Sequence, residues 1–188
     1  MASLSDCGPL AFKACNEAEA PFCDYLEKQF RKPVPLSGPV ITETPTSTLD
    51  QKLDKCLSGF NKGSVVYFRG AGLALERAGL PFLAALKLRT GNNLVDDVLP
   101  EGFMDRVKGR GIVEGGWVQQ QLILSHPSIG CFLTLARSCS ITEALVNDFR
   151  IVIVPLSGAQ IVSARLMAGD LNVGVEVERR DEDGWFTK

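Results

Sequence analysis

Apolar residues recur along this chain in two rhythms, and the change comes near Gly63. In NEAEAPFCDYLEKQFRK, residues 16–32, Phe22, Leu26 and Phe30 stand at i, i+4 and i+8 with charge on the other face, which predicts an amphipathic helix. PVPLSGPV is a short extended run punctuated by Pro33, Pro35 and Pro39. The polar, turn-rich ITETPTSTLDQ then reads as a linker, with Thr48 or Asp50 placed to cap a helix over LDQKLDKCLSGF. Beyond it the rhythm shortens. GSVVYF, GLPFLAALK, GRGIVEGGW, SIGCFLT and FRIVIVP are brief apolar runs bounded by glycine or proline, and each predicts a strand. Helical patterning returns in TEALVN and QIVSARLMAGD, and VGVEVERRDEDG predicts an edge strand running into a polar turn. Strands alternating with helices imply a parallel sheet covered on both faces, an α/β fold.

Length and charge narrow the classes. A chain of 188 residues is long enough for one sizeable core, and size alone favours one domain over two. The formal net charge is −2, with Lys and Arg interleaved among Asp and Glu, so no basic field suited to a phosphate backbone exists and nucleic acid is excluded as a partner. Cys7, Cys15, Cys23, Cys56, Cys131 and Cys139 form no CxxC pair, and MASLSDCGPL has neither a basic n-region nor a long apolar core. A reduced, cytoplasmic setting is expected, and no apolar run approaches the roughly 20 residues of a membrane span.

Several chemistries drop out. No GxGxxG follows a strand and no GxxxxGK[ST] occurs, which leaves nicotinamide and P-loop chemistry without a motif. His126 is the single histidine, so a metal site with several His ligands is excluded, and it reads as a packing or capping residue. A cysteine nucleophile would need that same histidine as its base, so Cys131 reads as a core filler and Cys139 as a helix-start residue. Taken singly, Trp117 suits a core or interdomain position and Gln120 an exposed helix start. Ser138 or Ser140 suits the cap of the TEALVN helix, with Thr142 or Glu143 in its first turn.

The stretch from Trp117 to Gln160, WVQQQLILSHPSIGCFLTLARSCSITEALVNDFRIVIVPLSGAQ, resembles the sugar-nucleotide box of plant secondary-product UDP-glycosyltransferases, closest to the flavonoid and anthocyanidin-glycoside branch. The flanks PFCDYLEKQF, LPFLAALK, LPEGF, VKGRG and DGWFTK extend the resemblance over most of the chain. It implies a Rossmann-like parallel sheet with flanking helices, the C-terminal half of a GT-B fold and incomplete. Residues 1–47 would be the tail of a preceding domain and its linker, and residues 48–188 the UDP-sugar donor-binding domain. The resemblance also implies a shortened first crossover, since only RGAGLALERAG lies between Phe68 and Leu80, and closing helices absent after WFT.

Each box position then acquires a role from the resemblance. Trp117 stacks on uracil, the Val118 backbone meets the base edge, and Gln120 and Glu143 reach the ribose. Ser138 and Ser140 offer hydroxyls to the phosphates, Cys139 stands where relatives carry Gly or Asn, and Gln160 keeps an amide for the sugar. The family motif HCGSGS falls on Leu135, Ala136, Arg137, Ser138, Cys139 and Ser140, so the diphosphate-donating histidine is Leu135 here and a small glycine is Arg137. Arg137 brings a positive charge, but its bulk stands where the backbone should approach phosphate. The sugar-gripping acid is Ala159. Losing two contacts to charged groups, at about 1.5–3 kcal/mol each, weakens binding by about two to four powers of ten.

The resemblance therefore implies part of an enzyme that moves a sugar from a UDP-sugar to a hydroxyl of a flavonoid-type acceptor, impaired or inactive as this chain. The donor is a substrate and no cofactor or metal is expected. The family's histidine base and its aspartate have no counterpart here, so no catalytic residue is assigned. The alternative is a non-catalytic, degenerate piece that at most binds nucleotide or a partner domain.

Overall fold

Short β-branched runs between glycines become the strands of one parallel sheet in this computed structural model. It describes residues 8–9, 11–12, 14–39, 45–70, 75–86, 95, 98–147, 149–156, 158–178 and 180. The chain divides into two compact units, Met1–Thr42 and Glu43–Lys188.

In the first unit, helix α1, Asn16–Phe30, ends at Arg31 in a left-handed conformation. Cys23 is buried with Ala14 and Val34, and Leu26 and Phe30 pack against them. Phe22 is 56% exposed, so the expected Phe22–Leu26–Phe30 stripe is corrected by one position. Positions 23, 26 and 30 follow i, i+3, i+7, the alternative helical spacing. The Glu27 carboxylate accepts the Val34 amide at 2.8 Å, and Phe12 bridges Leu36.

In the second unit the order is α2 (Gln51–Leu57), β1 (Val65–Arg69), α3 (Leu75–Ala78), β2 (Phe82–Leu86), α4 (Phe103–Arg106) and β3 (Gly111–Gly115). It continues with α5 (Gln120–Leu124), β4 (Ile129–Thr134), α6 (Ser138–Val146), β5 (Ile151–Ile153), α7 (Ala159–Arg165) and β6 (Gly174–Glu176). Asp50 caps α2, accepting the amides of Lys52 and Leu53 at 3.0 and 3.1 Å. A π-helical turn, Leu166–Asp170, prolongs α7 over the predicted helical stretch. The expected edge strand is β6, while residues 181–188 lie outside the described residues.

The sheet order is β3-β2-β1-β4-β5-β6, and every pairing is parallel. One face carries Leu57, Val65, Tyr67, Ile123, Phe132 and Ile151, with the Tyr67 and Phe132 rings stacked 5.2 Å apart. The other carries Phe68, Phe82, Phe103 and Val107. Consecutive β1 residues alternate between these clusters, as the pleat requires.

The short first crossover still closes a parallel pair. Residues 70–81 provide about the dozen positions such a connection needs, and its described helical part is the single turn α3. Two arginines near β3 clamp that turn. Arg106 Nε donates to the Glu76 carboxylate at 2.5 Å, and Arg110 donates to the Glu76 carbonyl at 2.6 Å.

Candidate functional site

Strand order reverses between β1 and β4, and a hollow of about 520 Å³ opens there at the carboxyl ends of the strands. Its walls are Arg69 and Gly70 after β1, Ala85 on β2, Gly116 and Trp117 after β3, Thr134 and Leu135 at the end of β4, and the first turn of α6. In open α/β sheets, connections leave such a switch point in opposite directions and vacate a crevice. Of the predicted residues, Trp117, Ser138, Cys139 and Ser140 meet in it.

Trp117 is 81% exposed, which removes the core-aromatic reading. Leaving β3 through Gly116, it presents an indole between this hollow and a second of about 500 Å³. Val118 lines the second hollow, packs partly on the core, and accepts the Gln120 amide at 2.9 Å through its carbonyl. The Lys52 ammonium meets the Glu114 carboxylate at 3.1 Å in that second wall, and this hydrogen bond raises the Lys52 pKa.

Gln120 is only 6% exposed, so the expectation of an exposed helix-start residue is corrected. Its amide oxygen accepts from the Tyr67 hydroxyl and from Arg69 Nη1, both at 3.2 Å, and its nitrogen donates to the Glu143 carboxylate. The network joins β1, the start of α5 and the middle of α6, and it holds the predicted ribose pair, Gln120 and Glu143, side by side. Tyr67 is fully buried, and desolvation pushes its phenol well above the usual tyrosine range.

The helix start departs from expectation. Helix α6 begins at Ser138, several residues before TEALVN, and its cap position is Arg137, whose side chain makes no capping bond. Neither serine therefore serves as the cap, and Glu143 lies within the helix rather than in its first turn. Ala136, nearly buried, takes φ +59° to turn the chain from β4 into α6. The first amides of α6 have no preceding helical turn to bond, and the helix dipole adds partial positive charge at the hollow. Leu135 packs on the Phe68 cluster and offers no polar donor. Arg137, by contrast, is exposed on the hollow's wall.

Gln160 stands apart from this hollow's lining, and its amide oxygen accepts the Leu156 amide at 2.9 Å. Ala159 begins α7 and is exposed. His126 is a packing residue: Nδ1 accepts the Ser128 amide at 3.2 Å, and Nε2 lies 3.6 Å from Asp54. Cys139 is exposed in the first turn of α6, whereas Cys131 is half-buried with its thiol pKa raised by burial. Among the described residues no group of three His, Cys, Asp or Glu side chains is placed to hold a metal, and no helix is long and apolar enough to cross a membrane.

Sequence reasoning missed Arg69 and Tyr67. Arg69 follows Val65 and Tyr67 on one face of β1, so strand alternation carried a signal that a polar side chain emerges at the strand's carboxyl end.

Residues 107–180 match the family described as UDP-glucoronosyl and UDP-glucosyl transferase. Over 199 aligned positions the chain is 50% identical to UDP-glycosyltransferase 79B30 of Glycine max, covering 99% of this chain and 43% of that protein. It is also 50% identical to a cyanidin 3-O-galactoside 2''-O-xylosyltransferase of Actinidia chinensis var. chinensis, over 98% of this chain and 43% of the relative. The chain thus spans less than half the length of these relatives. Among solved structures, a UDP-glucose: anthocyanidin 3-O-glucosyltransferase in complex with UDP superimposes with TM-score 0.72 at 27% identity, covering 98% of this chain and 43% of that one. TcCGT1 in complex with UDP gives TM-score 0.75 at 26% identity, over 93% and 44%. The sheet is therefore the Rossmann-like part of a GT-B fold, and the chain is a homologue of plant UDP-glycosyltransferases.

Proposed function

We propose that this homologue of plant UDP-glycosyltransferases binds the UDP portion of a UDP-sugar in the switch-point hollow. The observation that carries the reading is one cavity walled by an exposed Trp117, the first turn of α6 and Arg69, which is hydrogen-bonded to the Gln120–Glu143 pair. Trp117 supplies a plate for uracil, and Glu143 with Gln120 supplies the polar pair for ribose hydroxyls. The amides of Ser138, Cys139 and Ser140 face the diphosphate, whose negative charge the helix start favours. Gln160, tied to Leu156, would have to exchange that bond for a sugar hydroxyl.

In the whole protein, the reaction is transfer of the sugar to a hydroxyl of a flavonoid-type acceptor, and the setting is cytoplasmic. This reading is supported by relatives whose names specify anthocyanidin 3-O-glucoside and cyanidin 3-O-galactoside as substrates. Such a transfer needs a base to take the acceptor proton. The chain's one histidine, His126, is packed against Ser128 and Asp54, away from the hollow's lining, so these residues serve donor binding and not proton abstraction. A second reading, nucleotide binding without transfer, is favoured by Leu135, which fills a packing position and gives no hydrogen bond to phosphate.

Calorimetric titration of the purified chain with UDP, UDP-glucose and ADP tests the site. Saturable UDP and UDP-glucose binding, tighter than ADP, is expected; absence of UDP binding at millimolar ligand overturns it. Release of UDP in the presence of UDP-glucose and a flavonoid glucoside decides between transfer and binding alone.

A further inference from the structure

We infer that Arg69 and Arg137 form a two-sided cationic clamp that holds the diphosphate of a nucleotide in the switch-point hollow. The inference rests on the nucleotide reading of that hollow and assigns its anion-binding side chains. Arg69 ends β1 and Arg137 stands at the cap of α6, so they reach one cavity from opposite sides of the strand reversal. Among the described residues no carboxylate belongs to the cavity lining, and neither guanidinium lies within ion-pair distance of one. Two positive side chains and a helix start on one concave surface repel each other unless an anion lies between them.

The surrounding geometry prepares both groups for that anion. Arg69 Nη1 donates to Gln120 at 3.2 Å, which fixes the guanidinium beside the Gln120–Glu143 pair while its remaining N–H groups stay available to a ligand. Arg137 has extended backbone at φ −76°, ψ 135° and spends no side-chain bond on capping. A guanidinium offers planar, paired donors that match phosphate oxygens, and it holds its charge across the physiological range. Leu135 removes a neutral donor from the floor of the site, and the two arginines return charge at its walls.

The test is calorimetric titration of the full chain and of R69Q and R137Q with UDP and with uridine, at low and at high salt. Circular dichroism establishes that each variant is folded. Each substitution should weaken UDP by about ten- to a hundredfold and flatten the salt dependence of UDP affinity, each should lower uridine far less than UDP, and R137Q should leave uridine within about twofold. R69K and R137K, which keep charge without the fork, should recover part of the loss. If the unaltered chain binds uridine and UDP equally, or the variants lower both ligands alike, the clamp is wrong while the nucleotide site stands. If the unaltered chain binds neither ligand, both readings fall.

Discussion

Tyr67, wholly inside the core, hands its phenolic hydrogen to the amide oxygen of Gln120, 53 residues further along the chain, at 3.2 Å. The contact ties the centre of β1 to the helix start beneath Trp117. Y67F removes one donor while Arg69 still serves the same oxygen, so it should cost about 0.5–1.5 kcal/mol. Q120L leaves a buried hydroxyl without its acceptor and should cost about 1–3 kcal/mol. Urea unfolding of both variants checks this, and Y67F proving the more damaging would refute the network. Desolvation raises the Tyr67 pKa, so the folded chain holds that proton more tightly than the unfolded chain does. That stability is complete below the unfolded value of about 10 and is lost as pH climbs toward the folded value; the alkaline decline should be shallower in Y67F.

The indole of Trp117 should account for much of the base affinity. W117A is expected to weaken UDP by about five- to 150-fold, the range of one base stacked on one aromatic, and W117F should keep part of it. Because Trp185 is the only other tryptophan, a W185F background lets Trp117 emission follow the titration directly. Unchanged emission at saturating UDP would place the base elsewhere.

The one-turn crossover should prove acid-sensitive. The hydrogen bond from Arg106 holds the Glu76 pKa below its ordinary value of 4.5. Its contribution is therefore present above that value and disappears as pH falls through the lowered one. E76Q should flatten the acid limb of thermal stability, and R110A should speed amide exchange across residues 75–78 by releasing the Glu76 carbonyl. Identical acid limbs for E76Q and the unaltered chain would show that the clamp has no thermodynamic role.

Gly130 has no room for a side chain. A methyl there would lie 2.0 Å from the carbonyl oxygen of Gly63, which is backbone and cannot step aside. G130A should cost about 3 kcal/mol or more and displace the β1–β4 register. Gly169, in the π-helical turn with open space around it, gives the contrast: G169A should be neutral or stabilising by up to about 1 kcal/mol. Denaturant midpoints of the pair settle the comparison.

The strands were legible because VVYF, FLAAL and IVI combine β-branched or apolar runs with glycine and proline boundaries, a purely local signal. The cap at Asp50 was equally local. The start of α6 was misjudged because Ser138, Cys139 and Ser140 are weak helix formers, and Ala136 reaches the left-handed turn that sets the start without the usual glycine. The burial of Gln120 was hidden for another reason. Its burial depends on Tyr67, Arg69 and Glu143, which only the sheet order brings together, and no window of neighbouring residues contains that information. Arg69 was overlooked because its place at the cavity becomes visible only once β1 is known to sit beside β4.

The pairing of β1 with β4 also sets the order in time. Val65 meets Ile129 across the longest sequence separation of any strand pair in the sheet, so its loop-closure entropy is the last to be recovered. During synthesis, β1 and β2 emerge long before β4 and wait with one open edge on β1, a template for pairing with another chain. The cavity's two arginine-bearing walls come together only when that edge is filled. Nucleotide binding is thus a stringent assay of completed topology, and yield from expression should rise when UDP is present as the chain refolds.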